Sequence, residues 1–211
     1  MQTLQINKLY KVAMLDPAGG PVSGTKQSGR SRASITVVGE DDLERVVILE
    51  AWAKRIAPDQ LIDRTFEMQE RWRPAVFGID ASGPQLVFYQ MLLKEARERG
   101  IKWSPRPIAM KMEKTDSIEK AIQPVAAAGR LIRPPEKECY PLADEWRNFP
   151  DGIYRDNLDT LAWCIRLLPS VLPAHLRMMS ENQLRHYLER TGLPQDMIEN
   201  QLAQRASFAD K

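Results

Sequence analysis

One stretch near the amino terminus constrains the fold more than any other part of the chain. Residues 12–15 form a nearly continuous apolar run, and the run ends at Asp16. Pro17 and a Gly-Gly pair follow, and such residues do not continue a central strand. A run of this kind is typical of a strand covered on both faces. The sequence therefore predicts a buried strand over 10–16 with a carboxylate at its carboxyl end, where open α/β sheets place their chemistry.

A second buried strand ends on an aspartate in the same way. Residues 75–80 read Ala-Val-Phe-Gly-Ile-Asp, and Ala-Ser-Gly-Pro follows as a turn. A helix predicted over 58–73 precedes this strand, and a strand reached through a helix is expected to lie parallel to the first one. The carboxyl ends of parallel strands meet at one edge of a sheet. We therefore expect Asp16 and Asp80 at the same edge, on neighbouring strands.

The remaining elements complete an α/β fold. Residues 33–39 alternate and are β-branched, and 44–51 follow a polar turn, so both are predicted to pair antiparallel off the first strand. The predicted fold is a mixed sheet, an antiparallel meander of three strands plus parallel strands, flanked by helices and followed by a small helical tail. The other predicted elements are strands over 107–110 and 130–135 and helices over 85–99, 117–128, 140–149 and 156–168.

The helix predicted over 156–168 adds two more carboxylates. Asp156 and Asp159 lie three residues apart in its first turn and so on one side of it. Each taken alone is explained by the preference of acidic residues for helix amino termini. Clustered with Asp16 and Asp80, however, they would repel one another, so a divalent cation is the natural partner. Paired Mg²⁺ or Mn²⁺ ions activate a water and stabilise the leaving oxygen in phosphodiester cleavage.

Basic residues follow the predicted strand ends. The formal net charge is +2, which does not by itself indicate nucleic-acid binding but permits it if the signs are segregated. The Gly- and Ser-rich stretch 21–32 is an ordinary surface loop on composition, yet a basic loop beside Asp16 could contact phosphates. The residues predicted to hold the DNA backbone are Lys26, Arg30, Arg32, Lys111 and Lys114.

Several classes of protein are disfavoured. No P-loop motif is present, so no ATP motor of that type is visible. Cys139 and Cys164 lack the spacing of metal ligands and indicate a reducing compartment. The sequence has no apolar run of membrane-spanning length and no signal-peptide pattern, which predicts a cytoplasmic protein without a membrane partner.

Four segments, in matching order, resemble the nuclease domain of phage large terminase subunits, DNA-packaging endonucleases with a ribonuclease H-like fold. The resemblance covers roughly residues 8–168. Its segments are Asp16-Pro-Ala-Gly-Gly20, Pro74-Ala-Val-Phe-Gly-Ile-Asp-Ala-Ser-Gly83, Lys114 through Gly129-Arg-Leu-Ile132, and Phe149-Pro-Asp-Gly-Ile-Tyr-Arg-Asp-Asn-Leu-Asp-Thr-Leu-Ala162.

The resemblance implies a metal-dependent nuclease that cuts double-stranded viral DNA. Asp16, Asp80 and Asp156 match the catalytic metal ligands, and Asp159 matches a further acidic position, with two Mg²⁺ or Mn²⁺ ions expected. Implied partners are DNA, an N-terminal ATPase domain absent from this chain, the portal and the small terminase subunit, in the host-cell cytoplasm.

The sequence departs from the family pattern at two positions. Arg155 stands where many relatives carry an acidic residue, and Thr160 replaces the usual alanine. The first departure removes a carboxylate from the predicted centre.

The chain is predicted to divide into a nuclease domain, residues 1–169, and a helical tail, residues 170–211, that docks on a packaging component. Alternatives remain open. Asp-x-x-Asp on the last helix also suits a Holliday-junction resolvase-like nuclease, and a non-catalytic DNA- or portal-binding module needs no metal. Asp16-Pro-Ala-Gly-Gly also suggests half of an actin-like or sugar-kinase ATPase, which requires a second such domain.

Overall fold

The computed structural model describes residues 5–17, 32–109, 114–134, 139–171, 180–190, 198–199 and 202. Within these residues the strands are β1 (Tyr10–Asp16), β2 (Ala33–Glu40), β3 (Val46–Lys54), β4 (Val76–Asp80), β5 (Arg106–Ile108) and β6 (Leu131–Ile132). The α-helices are α1 (Pro58–Trp72), α2 (Gln85–Glu98), α3 (Lys114–Ala127), α4 (Tyr140–Asn148), α5 (Asp156–Arg166) and α6 (Glu181–Arg190).

The described strands form one mixed sheet in the order β5-β4-β1-β2-β3-β6. β1, β2 and β3 are an antiparallel meander, while β4 runs parallel to β1 and β5 parallel to β4. β6 pairs in parallel with β3 at the opposite edge. This is the mixed sheet that the sequence predicts, an antiparallel meander of three strands plus parallel strands, so the α/β fold class is confirmed.

Several predicted boundaries are wrong by a few residues: the strand predicted over 130–135 is only Leu131–Ile132, and the helix predicted from residue 117 begins at Lys114. The strand predicted over 44–51 occupies Val46–Lys54 instead. Glu44 has a φ of 57°, in the left-handed region, and its N–H donates to the carbonyl of Asp41 at 2.9 Å. Glu44 therefore belongs to the turn that joins β2 and β3, and pairing begins only after it.

The two faces of the sheet pack against different helices. One face carries Ala13 and Leu15 of β1 together with apolar residues of β2 and β4, and it packs against α1 and α2. The buried members of this core cluster are Ala13, Leu15, Ala33, Ile35, Val37, Leu61, Ile62, Met68, Phe77, Ile79, Phe88 and Leu92. Because side chains alternate along a strand, Val12, Met14 and Asp16 face the other way, toward α5.

On the α5 face, β4 approaches its neighbours closely at Gly78. A Cβ built at Gly78 would lie 2.7 Å from Sδ of Met14 and 2.6 Å from Cδ1 of Ile108. Real Cβ atoms do not make contacts this short, so the absence of a side chain at Gly78 leaves room for the ends of the Met14 and Ile108 side chains.

The chain divides into two compact units, residues 1–167 and 168–211. In the second unit, α6 begins with the capping box that the sequence predicts. Ser180 Oγ accepts the Gln183 N–H at 3.3 Å, and Gln183 Oε1 accepts the Ser180 N–H at 2.8 Å. The roles of nuclease domain and docking tail stay predictions. No helix within the described residues is long and apolar enough to cross a membrane.

Candidate active site

Two aspartates meet at the carboxyl edge of the sheet. Leu15 of β1 pairs in register with Ile79 of β4, so the next residues, Asp16 and Asp80, are neighbours on the face that α5 covers. Both are buried, with 4% and 5% of their surface exposed. The predicted proximity of Asp16 and Asp80 is confirmed, and their role as metal ligands stays a prediction.

The turn after β4 fixes the orientation of Asp80. Its Oδ1 accepts the backbone N–H of Ser82 at 2.9 Å and the Ser82 hydroxyl at 2.6 Å. An aspartate bonded to the backbone two residues on is typical of an Asx turn. The carboxylate is therefore held in one orientation by its own loop.

The first turn of α5 is anchored beside Asp16 by β2. Ser34 is the residue paired with Asp16, and its hydroxyl donates to the backbone carbonyl of Asp156 at 2.9 Å. One turn further along, the hydroxyls of Thr36 and Thr160 are 2.8 Å apart. The threonine that departs from the family pattern at position 160 thus has a polar partner on the sheet, and both residues are fully buried.

The Asp156 carboxylate binds a guanidinium in this structure. Arg32 Nε donates to Asp156 Oδ2 at 3.1 Å, while Arg32 Nη2 donates to Glu145 Oε1 at 2.5 Å. The guanidinium carbon also lies 3.9 Å from the centre of the Tyr154 ring. Only 17% of the Arg32 side chain is exposed. The DNA contact predicted for Arg32 stays a prediction.

Glu145 is a residue of this site that sequence reasoning missed. It reaches from α4, is 1% exposed, and its Oε2 accepts the backbone N–H of Leu158 at 3.0 Å. It therefore satisfies one of the amide donors that every helix leaves unpaired in its first turn. Burial raises the pKa of Glu145 to about 7, against the opposing effects of the Leu158 N–H and Arg32. A sequence signal did exist, because Leu142 and Glu145 share the buried face of α4.

Asp159 is 2% exposed and lies in the same turn of α5 as Asp156. Its charge is balanced in part from its own helix. Burial lowers the pKa of Arg166, and the attraction of Asp159 opposes that effect. Arg166 also donates to the carbonyl of Ser117 on α3 at 2.6 Å.

The donor chemistry fits a divalent cation at the two strand ends. Mg²⁺ is commonly held by one or two protein carboxylates, with water and substrate phosphate as its other ligands, and Asp16 and Asp80 supply such a pair. Asp156 is the third carboxylate, but it is bound to Arg32. Among the described residues, no three Asp, Glu, His or Cys side chains are grouped so that they could hold a metal ion. The predicted centre of four carboxylates and two ions stays a prediction.

The other predicted DNA contacts fall mostly outside the described residues. This applies to Lys26, Arg30 and Lys111, and to the side chain of Lys114, whose backbone begins α3. Arg155, the departure from the family pattern that removes a carboxylate, donates from Nη1 to the Thr115 hydroxyl at 2.7 Å. It therefore links the start of α5 to α3.

No protein-family model matches the chain, and no curated protein matches it in sequence. Solved structures resemble it in fold. The yeast mitochondrial Holliday junction resolvase has a TM-score of 0.45 at 12% identity, over 75% of this chain and 78% of that one. RuvC of T. thermophilus bound to a Holliday junction substrate has a TM-score of 0.39 at 13% identity, over 74% and 90% of the two chains. A further structure of Thermus thermophilus RuvC has a TM-score of 0.37 at 15% identity, with the same coverage. At these identities no residue role passes from those proteins to this chain.

Proposed function

We propose that this chain is a divalent-metal-dependent DNA endonuclease. The observation that carries the proposal is the pair of buried carboxylates, Asp16 and Asp80, at neighbouring strand ends on one face of the sheet. Two carboxylates this close repel each other, and a divalent cation bound by both lowers that repulsion. The carboxyl edge of an open α/β sheet is also where such folds place their chemistry.

The residues of the site have separate tasks in this proposal. A bound divalent cation supplies an activated water and stabilises the charge that develops on the leaving oxygen. Asp16 and Asp80 would hold the cation, and the Ser82 turn fixes the orientation of the Asp80 carboxylate. Asp156 completes the ligand set from the first turn of α5, whose position relative to Asp16 depends on the bond from Ser34.

At a finer level, we propose that the substrate is double-stranded viral DNA during genome packaging. This rests on the resemblance of four sequence segments to terminase nuclease domains. It implies an ATPase domain, a portal and a small terminase subunit as partners, and the host-cell cytoplasm as the location. Lys26, Arg30, Arg32, Lys111 and Lys114 are the proposed phosphate contacts.

A second candidate substrate is a four-way DNA junction. The observation that favours it is the Asp156-x-x-Asp159 pair, with both residues buried in the first turn of α5. A comparison of a four-way junction with linear duplexes of the same sequence separates the two substrates. A packaging nuclease is expected to cut both, whereas a resolvase is expected to cut only the junction, with symmetric nicks.

The test of the proposed activity is nicking of supercoiled plasmid with Mn²⁺, Mg²⁺ or EDTA. Asp16→Asn and Asp80→Asn are each expected to lower the cleavage rate by about a hundredfold or more, because changes even to the outer partners of metal ligands cost about 10–100-fold. Asp63→Asn is the matched control, since Asp63 lies on α1 with 63% of its side chain exposed. Full cleavage in EDTA, or by the Asp16→Asn variant, would refute the proposal.

A further inference from the structure

The Arg32 guanidinium is bound to the Asp156 carboxylate, which the proposed activity requires as a ligand for a cation. Its guanidinium makes three contacts, with the Asp156 carboxylate, the Glu145 carboxylate and the Tyr154 ring. The pair is largely shielded from water, with 17% of the Arg32 side chain and 11% of the Asp156 side chain exposed. Charge-assisted hydrogen bonds in such surroundings are stronger than exposed ones.

A guanidinium and a divalent cation compete for the same oxygen in two ways. The Nε–H occupies one of the acceptor sites of the Asp156 carboxylate, and the positive charge repels a second cation a few ångströms away. Asp156 therefore cannot bind a metal with full strength while Arg32 remains on it.

Arg32 also has two partners that it can keep when it releases Asp156. Its Nη2 bonds to Glu145, and its ring contact with Tyr154 does not involve Asp156. Glu145 is itself fixed, because its other oxygen accepts the Leu158 N–H at 3.0 Å. Breaking the single Nε–Oδ2 bond therefore frees Asp156, while two of the three contacts of Arg32 persist.

We propose that Arg32 is a built-in competitor for the metal, which neutralises Asp156 in the metal-free protein and, when a divalent cation binds, releases Asp156 while it keeps its existing bond to Glu145. Arg32 and Glu145 are then positioning residues that set the availability of Asp156. This inference rests on the proposed function, since it requires that Asp156 binds a cation. It implies that the protein folds without metal at the cost of a weaker affinity for it.

The test is calorimetric titration of Mn²⁺ into the full chain without DNA, at about pH 8, above the pKa of about 7 of Glu145. Arg32→Gln is expected to bind Mn²⁺ about tenfold more tightly than the wild type, as expected for removal of one charge-assisted bond. Adding Asp156→Asn to that variant is expected to abolish the gain.

The matched control is Arg64→Gln. Arg64 pairs with Glu50, its side chain is 19% exposed, and it lies on α1, on the opposite face of the sheet from α5. Arg64→Gln removes the same single positive charge, but on the other face of the sheet, so its Mn²⁺ affinity is expected to equal that of the wild type. An equal gain in both variants would mean that net charge alone acts, and would overturn the inference.

A second measurement uses only the wild-type protein, so it does not depend on whether a variant folds. Mg²⁺ is titrated into the wild type while the arginine Nε–H signals are followed by NMR. The Arg32 Nε–H is expected to shift and exchange faster with water as its bond to Asp156 breaks, whereas Arg64 stays unchanged. An Arg32 signal that does not respond at saturating Mg²⁺ overturns the inference.

These results separate the inference from the proposed function. If the wild type cuts DNA with Mn²⁺ but Arg32→Gln binds Mn²⁺ no more tightly, the activity stands and the role of Arg32 is refuted. If the wild type neither binds Mn²⁺ nor cuts DNA, both are refuted.

Discussion

Glu145 provides a prediction for the pH dependence of stability. Burial raises the pKa of this carboxyl from 4.5 to about 7, which means that the folded protein binds its proton more tightly than the unfolded chain does. The contribution of Glu145 to stability is therefore greatest below about pH 4.5, where this carboxyl is protonated in both states. It falls as the pH rises toward about 7, because the unfolded chain gains more from releasing the proton. Above that pH the effect is complete and constant.

The magnitude follows from the two pKa values. A pKa difference is worth about 1.4 kcal/mol for each pKa unit, so raising the pKa of Glu145 from 4.5 to about 7 corresponds to about 3 kcal/mol of unfolding free energy. Glu145→Gln cannot ionise. The unfolding free energy of the wild type, measured relative to that of Glu145→Gln, is expected to fall by about 3 kcal/mol between about pH 4.5 and about pH 7.

The assay is urea denaturation followed by tryptophan fluorescence at a series of pH values. All five tryptophans lie between residues 52 and 163, so the signal reports on the first compact unit alone. Glu98→Gln is the control, because the Glu98 side chain is 58% exposed, and it is expected to show no such change. A wild-type profile parallel to that of Glu145→Gln, or a difference of the opposite sign, would refute the account of Glu145 as a carboxyl whose charge is disfavoured by burial.

Three further predictions follow from the packing. Gly78→Ala is expected to lower the unfolding free energy by about 1 kcal/mol in the same urea assay, because the ends of the buried Met14 and Ile108 side chains must shift to admit its Cβ; an unchanged midpoint would show that these side chains repack without cost. Burial raises the pKa of the Cys164 thiol well above its usual value, so labelling of this cysteine by a thiol reagent is expected only on unfolding, and rapid labelling of native protein would show that α5 is not closed over the sheet. Deletion of 174–211 is expected to leave plasmid nicking largely intact, and a truncated protein that folds by circular dichroism but no longer cuts would place the tail in the active site.

The sheet could be predicted from sequence because its signals are local. The apolar run before Asp16 and the similar run before Asp80 are each readable within a few residues. The helix between them gives their parallel pairing by a general rule of chain connection. The juxtaposition of these two aspartates followed from that rule, and the register between β1 and β4 confirms it.

The surroundings of Asp156 could not be predicted in this way, because they depend on distant parts of the chain. Arg32 precedes Asp156 by 124 residues and Glu145 by 113. No periodicity or motif relates residues so far apart, and an exposed loop was the natural interpretation of the segment that ends at Arg32. The glutamate on the buried face of α4 was the one local signal that a charge lay inside.

The arginine partners of Asp156 and Asp159 change the argument for a metal at the site. The sequence-based expectation of a cation assumed that the four aspartates would repel one another without compensation. In the structure, the positive charge of Arg32 balances the negative charge of Asp156, and Arg166 attracts Asp159 from within α5. Repulsion among all four therefore no longer supports a metal by itself, and the proposal rests instead on the position of Asp16 and Asp80 at neighbouring strand ends. It follows that Asp16 and Asp80 are expected to dominate the first binding of a cation, while Asp156 contributes only after its bond to Arg32 has broken.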